Sequence, residues 1–209
     1  MRDTRLLIVF VKAPRPGKVK TRLAQSVGAN AACLIYQILA SRVLTQLESL
    51  PGVQLRFHPA TARNEIRPWR RRGWTMAPQG GGDLGQRLKR AFRQTFSTRW
   101  ERVAIIGSDC PELTVRDVED AWNALDVNDV VLGPSADGGY WLVALRKSLP
   151  KLFAKIPWST DRVLAATLAR AKSAGMRVHL LRELADVDTE DDWKAYLRRN
   201  AFAQIALGK

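Results

Sequence analysis

The sequence predicts an α/β fold in one domain over residues 1–209: a mostly parallel central sheet with helices on both faces. Three observations predict it. Strand-length apolar runs alternate with segments of helical periodicity along the whole chain, the order that builds a parallel sheet covered on both sides. Glycine, proline and aspartate cluster directly after those runs, where a chain turns off a sheet. With 209 residues, 46% of them hydrophobic, the chain can bury one core, and no repeat, linker or low-complexity block divides it.

The elements follow in order. Arg5 to Val11 is a buried strand that stops at Lys12-Ala13-Pro14. A loop rich in proline and lysine runs from Pro14 to Lys20. Ala29 to Leu50 has the spacing of a long helix, with Asn30 as a cap and Pro51-Gly52 as the stop. Val53 to His58 and the short run Trp74 to Ala77 are the next strands. Asp83 to Phe96 places Leu84, Leu88, Ala91 and Phe92 on one helical face. Arg102 to Ile106 is a strand, and Thr114 caps a helix running to Leu125. Asp129 to Leu132 and Tyr140 to Leu145 are strands around the Asp137 loop. Thr160 to Ser173 is a helix closed by Gly175, Arg177 to Leu181 a strand, and Thr189 to Arg199 a last helix.

Composition narrows the function classes. No run approaches the roughly 18 apolar residues of a membrane span, and Leu6 to Val11 is too short for a signal-peptide core, so the expected location is the cytoplasm. Cys33 and Cys110 stand outside any zinc-type spacing, and two reduced thiols are expected. The net charge of +14 attracts anions. Its densest run, Arg67-Pro68-Trp69-Arg70-Arg71-Arg72-Gly73-Trp74, could neutralise and stack a single-stranded nucleic acid, or be a solvated helix end. The remaining positive charge is spread along the chain, which disfavours nucleic acid as a partner.

The chemistry-bearing residues follow the strands. Open α/β sheets bind ligands at the carboxyl ends of their strands. Asp109 follows Val103-Ala104-Ile105-Ile106, Asp137 follows Val130-Val131-Leu132, and Asp188 lies in Asp186-Val187-Asp188-Thr189. Magnesium or manganese takes a few carboxylate oxygens and keeps water and substrate phosphate as its other ligands. Asp188 or Thr189 could equally cap the last helix. Lys12, Arg15, Lys18, Lys20 and Arg22 crowd the loop after the first strand, a common phosphate position, although the P-loop pattern is absent. Gly80, Gly82 and Gly85 match G-x-G-x-x-G. The short strand before them, their late place in the chain and Pro78 weaken a dinucleotide reading, leaving a flexible turn or a loop whose backbone approaches a ligand. His58 and His179 have no partner in sequence, and no serine has a nucleophile-elbow context.

Six ordered blocks carry a resemblance: Lys12 to Leu23, Gly82 to Arg87, Gly107 to Pro111, Leu132 to Tyr140, Ile156 to Thr160 and Asp186 to Asp192. Together the chain resembles the bacterial family of small nucleotide-diphospho-sugar transferases with the glycosyltransferase-A fold, formerly a domain of unknown function, some members of which are labelled arsenosugar-biosynthesis glycosyltransferases. The resemblance implies a metal-dependent transferase with a nucleotide donor, Mg2+ or Mn2+ as cofactor, and glycosyl transfer to a small acceptor. The alternative is nucleotidyl transfer from NTP to a phosphorylated acceptor, as in the phospholactate and molybdenum-cofactor guanylyltransferases of the wider superfamily. It implies that Lys12, Ala13, Pro14, Gly17, Lys20 and Arg22 hold the nucleotide phosphates, and that Gln79 and Gly82, with Asp83 beside them, contact the base. Asp109 stands in for a D-x-D motif whose second aspartate is missing here, and Asp188 is the second metal ligand. Asp137, Gly138, Gly139, Tyr140 and Trp158 line the acceptor or sugar pocket, and Asp137 is the candidate base beside the catalytic Asp109 and Lys20. No membrane span is implied, and a homodimer is left open.

Overall fold

The computed structural model describes residues 3–206. Seven strands form one sheet: β1 (Arg5–Lys12), β2 (Val53–His58), β3 (Thr75–Pro78), β4 (Arg102–Ile106), β5 (Val130–Pro134), β6 (Tyr140–Leu145) and β7 (Val178–Leu180). Their order is β3-β2-β1-β4-β6-β5-β7. Every neighbouring pair is parallel except those of β6, which runs antiparallel to both β4 and β5. The helices are α1 (Thr21–Val27), α2 (Ala29–Gln46), α3 (Arg63–Ile66), α4 (Leu84–Phe96), α5 (Val115–Ala124), α6 (Val163–Ser173) and α7 (Glu190–Ala206).

The first strand shows why the sheet is covered twice. Side chains alternate across a strand, and here both sets are apolar. Leu7, Val9 and Val11 pack with Val43 and Leu44 of α2, with Leu47 just beyond it, and with Val118, Ala121 and Trp122 of α5. Leu6 and Ile8 face the other way, onto Leu88, Ala91 and Phe92 of α4 and Ala171 of α6. Strand order matters most for function. From β1 the chain builds outward through β2 to β3, then returns to lay β4 on the other flank of β1. Loops leaving the carboxyl ends of β1 and β4 therefore diverge around a crevice, the topological switch point where open α/β sheets bind ligands.

Several boundaries differ from the expected ones, each for a local reason. The segment after the first loop is helical, α1, although its seven residues carry no full amphipathic repeat. Gly28, with φ 83°, separates it from α2, so Asn30 lies inside α2 rather than at its cap. That helix ends at Gln46, ahead of Pro51. The helix expected from Thr160 begins at Val163, since Ser159 sits at φ 64° and the chain there is a turn. Thr114 does cap α5, in a capping box with Asp117. The basic run forms a short 3-10 turn, Arg67–Trp69. Its tryptophans face inward: Trp74 is buried and Trp69 packs 5.8 Å from the Tyr36 ring. Neither indole is free to stack a base. Both cysteines are buried and unpaired, as expected. No helix among the described residues is long and apolar enough to cross a membrane.

Candidate functional site

A cleft of about 640 Å³ opens at the switch point. One side belongs to the end of β1, the first loop and α1, which supply Lys12, Lys20, Thr21 and Arg22. The opposite side is the turn after β5 and the segment before α6, which supply Asp137, Gly139, Tyr140, Trp158, Ser159, Thr160 and Asp161. Asp109, from the carboxyl end of β4, lies between them with Asp186 and Asp188 from the approach to α7.

Lys20 organises the middle. Its Nζ donates to Asp188 Oδ1 at 2.8 Å and lies 3.3 Å from Asp109 Oδ1. The lysine side chain is 3% exposed, whereas Asp109 and Asp188 remain 41% and 40% exposed toward the cleft. Burial works against the ammonium charge, but Asp109 and Asp188 outweigh it and hold its pKa above the ordinary lysine value. The backbone of Lys20 is left-handed, φ 46° and ψ 49°. A non-glycine residue there costs roughly 1–2 kcal/mol and persists because the surroundings impose it.

The acids are held in place from behind. Val187 is buried, and its amide donates to the Asp109 carbonyl at 3.2 Å, stapling the Asp186–Asp188 segment to the end of β4. Ser135 Oγ donates to Asp186 Oδ2 at 3.1 Å. Desolvation, then the neighbouring Asp109, pushes the Asp186 carboxyl up to about 7. The cap of α7 falls to Thr189 and Asp192, whose side chains bond each other's backbone amides, so the Asp188 carboxylate is turned to Lys20 and the cleft rather than to the helix end. Across the switch point, the Tyr36 hydroxyl accepts from the Lys12 amide at 2.8 Å and lies 3.2 Å from Ser108 Oγ, tying the ends of β1 and β4 together.

A divalent cation fits this donor set. All three acids offer hard oxygen, and Asp109 Oδ1 is buried with no hydrogen-bond partner among the described residues. Among the described residues no three such side chains converge tightly enough to hold a metal alone. Such a site suits an ion like magnesium, which takes one or two carboxylates and completes its shell with water and substrate phosphate.

The wall facing the first loop is held by close contacts. Gly138 has φ 82°, and a Cβ there would come within 2.1 Å of the Asp161 carbonyl, so only glycine permits this contact between the two segments. Trp158 packs edge-on to Tyr140, 6.4 Å between centroids, and a Cβ on Gly85 of α4 would meet its indole nitrogen at 2.6 Å. Asp137 is exposed, with Oδ1 accepting from the Gly139 amide at 2.9 Å.

The structure thus gathers Lys12, Lys20, Arg22, Asp109, Asp137, Gly139, Tyr140, Trp158 and Asp188 around one cleft. Ala13 lines a second cavity of about 320 Å³, reached past Lys12, together with Arg15, Lys18, His58, Pro59 and Arg87. Pro14, Gly17, Gly138, Gln79, Gly82 and Asp83 line neither. Gln79 is buried, and its amide nitrogen donates to the carbonyls of Val11 and Arg56 at 3.0 and 2.9 Å, which commits it to joining β1 to β2. Asp83 caps α4, accepting from the Gln86 amide at 2.7 Å. A Cβ on Gly82 would collide with Gln86. Sequence reasoning did not single out Tyr36, Asp186 or Asp161. Only Asp186 had a signal, its spacing of two from Asp188, which in an extended segment puts both side chains on one side.

Comparison with known proteins agrees with this architecture. The model of a family described as "Uncharacterized protein conserved in bacteria (DUF2064)" matches residues 43–160. A crystal structure from Desulfovibrio desulfuricans G20, provisionally assigned as a nucleotide-diphospho-sugar transferase, is 33% identical with a TM-score of 0.89, over 95% of this chain and 88% of that one. Two more distant structures share the fold alone. CMP:2-keto-3-deoxy-manno-octonic acid synthetase complexed with CTP is 12% identical, TM-score 0.60, over 97% of this chain and 99% of that one. Rv0371c of Mycobacterium tuberculosis H37Rv in complex with manganese is 15% identical, TM-score 0.53, over 94% and 99%. No curated protein matches the sequence.

Proposed function

The chain belongs to the DUF2064 family, and on that premise we propose that it is a metal-dependent transferase that takes a nucleotide-diphospho-sugar and passes the sugar to a small acceptor. The relative from Desulfovibrio desulfuricans G20, provisionally assigned to that class, supports the reading.

The observation that carries it is the division of charge across the cleft. Among the described residues, every lysine and arginine lining it comes from the side of the first loop and α1: Lys12, Lys20 and Arg22. The facing side offers carboxylates at Asp137 and Asp161, hydroxyls at Ser159 and Thr160, and the rings of Tyr140 and Trp158. The cationic side suits a diphosphate, and the other suits a hydroxyl-rich, uncharged group. A phosphorylated acceptor would meet Asp137 and Asp161 with no cation to offset them.

Each residue then has a task. Lys12, Lys20 and Arg22 orient the diphosphate and stabilise charge as it departs. Asp109 and Asp188 would hold Mg2+ or Mn2+, with Asp186 behind them, and a bound ion would supply Lewis-acid neutralisation of the leaving diphosphate. Asp137, exposed on the acceptor side with one oxygen engaged by Gly139, takes the proton of the attacking hydroxyl. Trp158 and Tyr140 shape the sugar end of the cleft.

The test is product analysis with sugar nucleotides or NTPs, magnesium or manganese, and candidate acceptors. Release of nucleoside diphosphate is expected. Release of pyrophosphate from NTP would replace sugar transfer by nucleotidyl transfer, the reading favoured by the likeness in fold to a CTP-binding synthetase.

A further inference from the structure

We propose that the Lys20 ammonium holds the place of the divalent cation in the nucleotide-free protein and must leave it before metal can bind, which makes metal uptake depend on a phosphate chain. The proposal rests on the metal-dependent reading above and adds to it an order of events.

Three observations carry it. Lys20 Nζ lies between the two oxygens best placed to hold a metal, 2.8 Å from Asp188 Oδ1 and 3.3 Å from Asp109 Oδ1. An ion bound at the ~2.0–2.1 Å typical of magnesium and oxygen could not bridge those oxygens with the ammonium still between them. The lysine is also a poor final partner. Its contact with Asp109 does not qualify as a hydrogen bond, so a buried carboxylate oxygen stays unsatisfied. Finally, its backbone is left-handed at the start of α1, and its side chain runs from the cationic first loop onto the acids.

A departing lysine needs somewhere better to go. Lys12 and Arg22 line the same wall, so a phosphate chain drawn there lies beside the base of the Lys20 side chain. Moving Nζ from carboxylate to phosphate exchanges one anionic partner for another while opening both acids to the metal. A ligand shifts such an equilibrium only by its preference for one state, and the phosphate chain supplies that preference.

The experiment is Mn2+ titration, followed by calorimetry and by the electron paramagnetic resonance of free Mn2+, without nucleotide. It compares the wild type with Lys20→Met, Lys20→Gln and Lys12→Met. Lys12→Met removes the same charge from the same cleft without vacating the position between the acids. The expected result is Mn2+ affinity raised at least tenfold in both Lys20 variants and less than threefold in Lys12→Met. A larger rise in melting temperature on adding Mn2+ should accompany it in the Lys20 variants, and reports on folding as well. Equal affinity in wild type and Lys20 variants, or an equal gain in Lys12→Met, would overturn the place-holder and leave the metal reading intact. No Mn2+ binding by any of the four proteins would overturn both.

Discussion

Two clusters in this protein join a cation to aspartate at the carboxyl side of the sheet, and they are finished differently. Asp117, in the first turn of α5, accepts four bonds: from Thr114 N and Oγ1, both at 2.7 Å, and from Arg182 Nε and a terminal guanidinium nitrogen at 2.6 and 2.8 Å. Among the described residues Asp109 has only the long side-chain contact from Lys20, and its buried Oδ1 makes no hydrogen bond. A carboxylate whose lone pairs are filled by its own chain contributes to stability. One left under-filled beside a cleft is costly to the fold and has capacity for a ligand.

The comparison breaks most sharply at Asp109. Asp109→Ala should lower metal-dependent kcat/KM on the order of a thousandfold or more, since a Lewis-acid ion is worth several kcal/mol in the transition state. Its melting temperature should stay close to that of wild type. A large thermal loss without a catalytic one would reverse the roles assigned to the two clusters. Asp137→Asn, across the cleft from Lys20, should cut kcat by roughly a hundredfold or more while leaving nucleotide affinity unchanged, as the proposed loss of a general base requires. Weaker nucleotide binding by that variant would move Asp137 to the donor side.

Asp117→Asn should show the opposite signature. We expect a loss of about 1–3 kcal/mol in urea unfolding, with turnover retained. The pH dependence follows from the sign of the shift. Burial favours the neutral acid, but Arg182 and Thr114 outweigh it and depress the folded-state pKa of Asp117. Its stabilisation is therefore fully present above the unfolded carboxylate value near ~3.9 and is lost as pH falls through the folded one. The deficit of Asp117→Asn should shrink accordingly below about pH 4. The smallest effect is expected at the rim. Arg199 bonds Glu112 at 2.7 Å with both side chains substantially exposed, and Arg199→Ala should cost no more than about 1 kcal/mol. A larger loss would extend the stabilising cluster from Arg182, which also donates to the Glu112 carbonyl, into α7.

Much of the fold was legible because its signals are local. Apolar residues on both faces of β1 announce a sheet covered twice, and Thr114 with Asp117 announces the start of α5. Where the local signal was short, boundaries slipped. Seven residues of α1 hold too few turns to show a periodicity, and Ser159 in a left-handed turn delays α6. The site was legible in part. Acids after strands read correctly as residues at the sheet edge, yet Gln79 and Asp83 turned out to be engaged by backbone groups, which no spacing reveals.

By itself the sequence determined the alternation of elements, the positive first loop and the placing of aspartates at strand ends, because each depends on residues a few positions apart. Only the tertiary structure decided that Lys20 meets Asp188 across 168 positions and that Asp137 faces them over one cleft. Those distances follow from the strand order, in which β4 docks beside β1 and reverses the direction of growth. Strand order is set by how whole layers pack, so no single motif carries it.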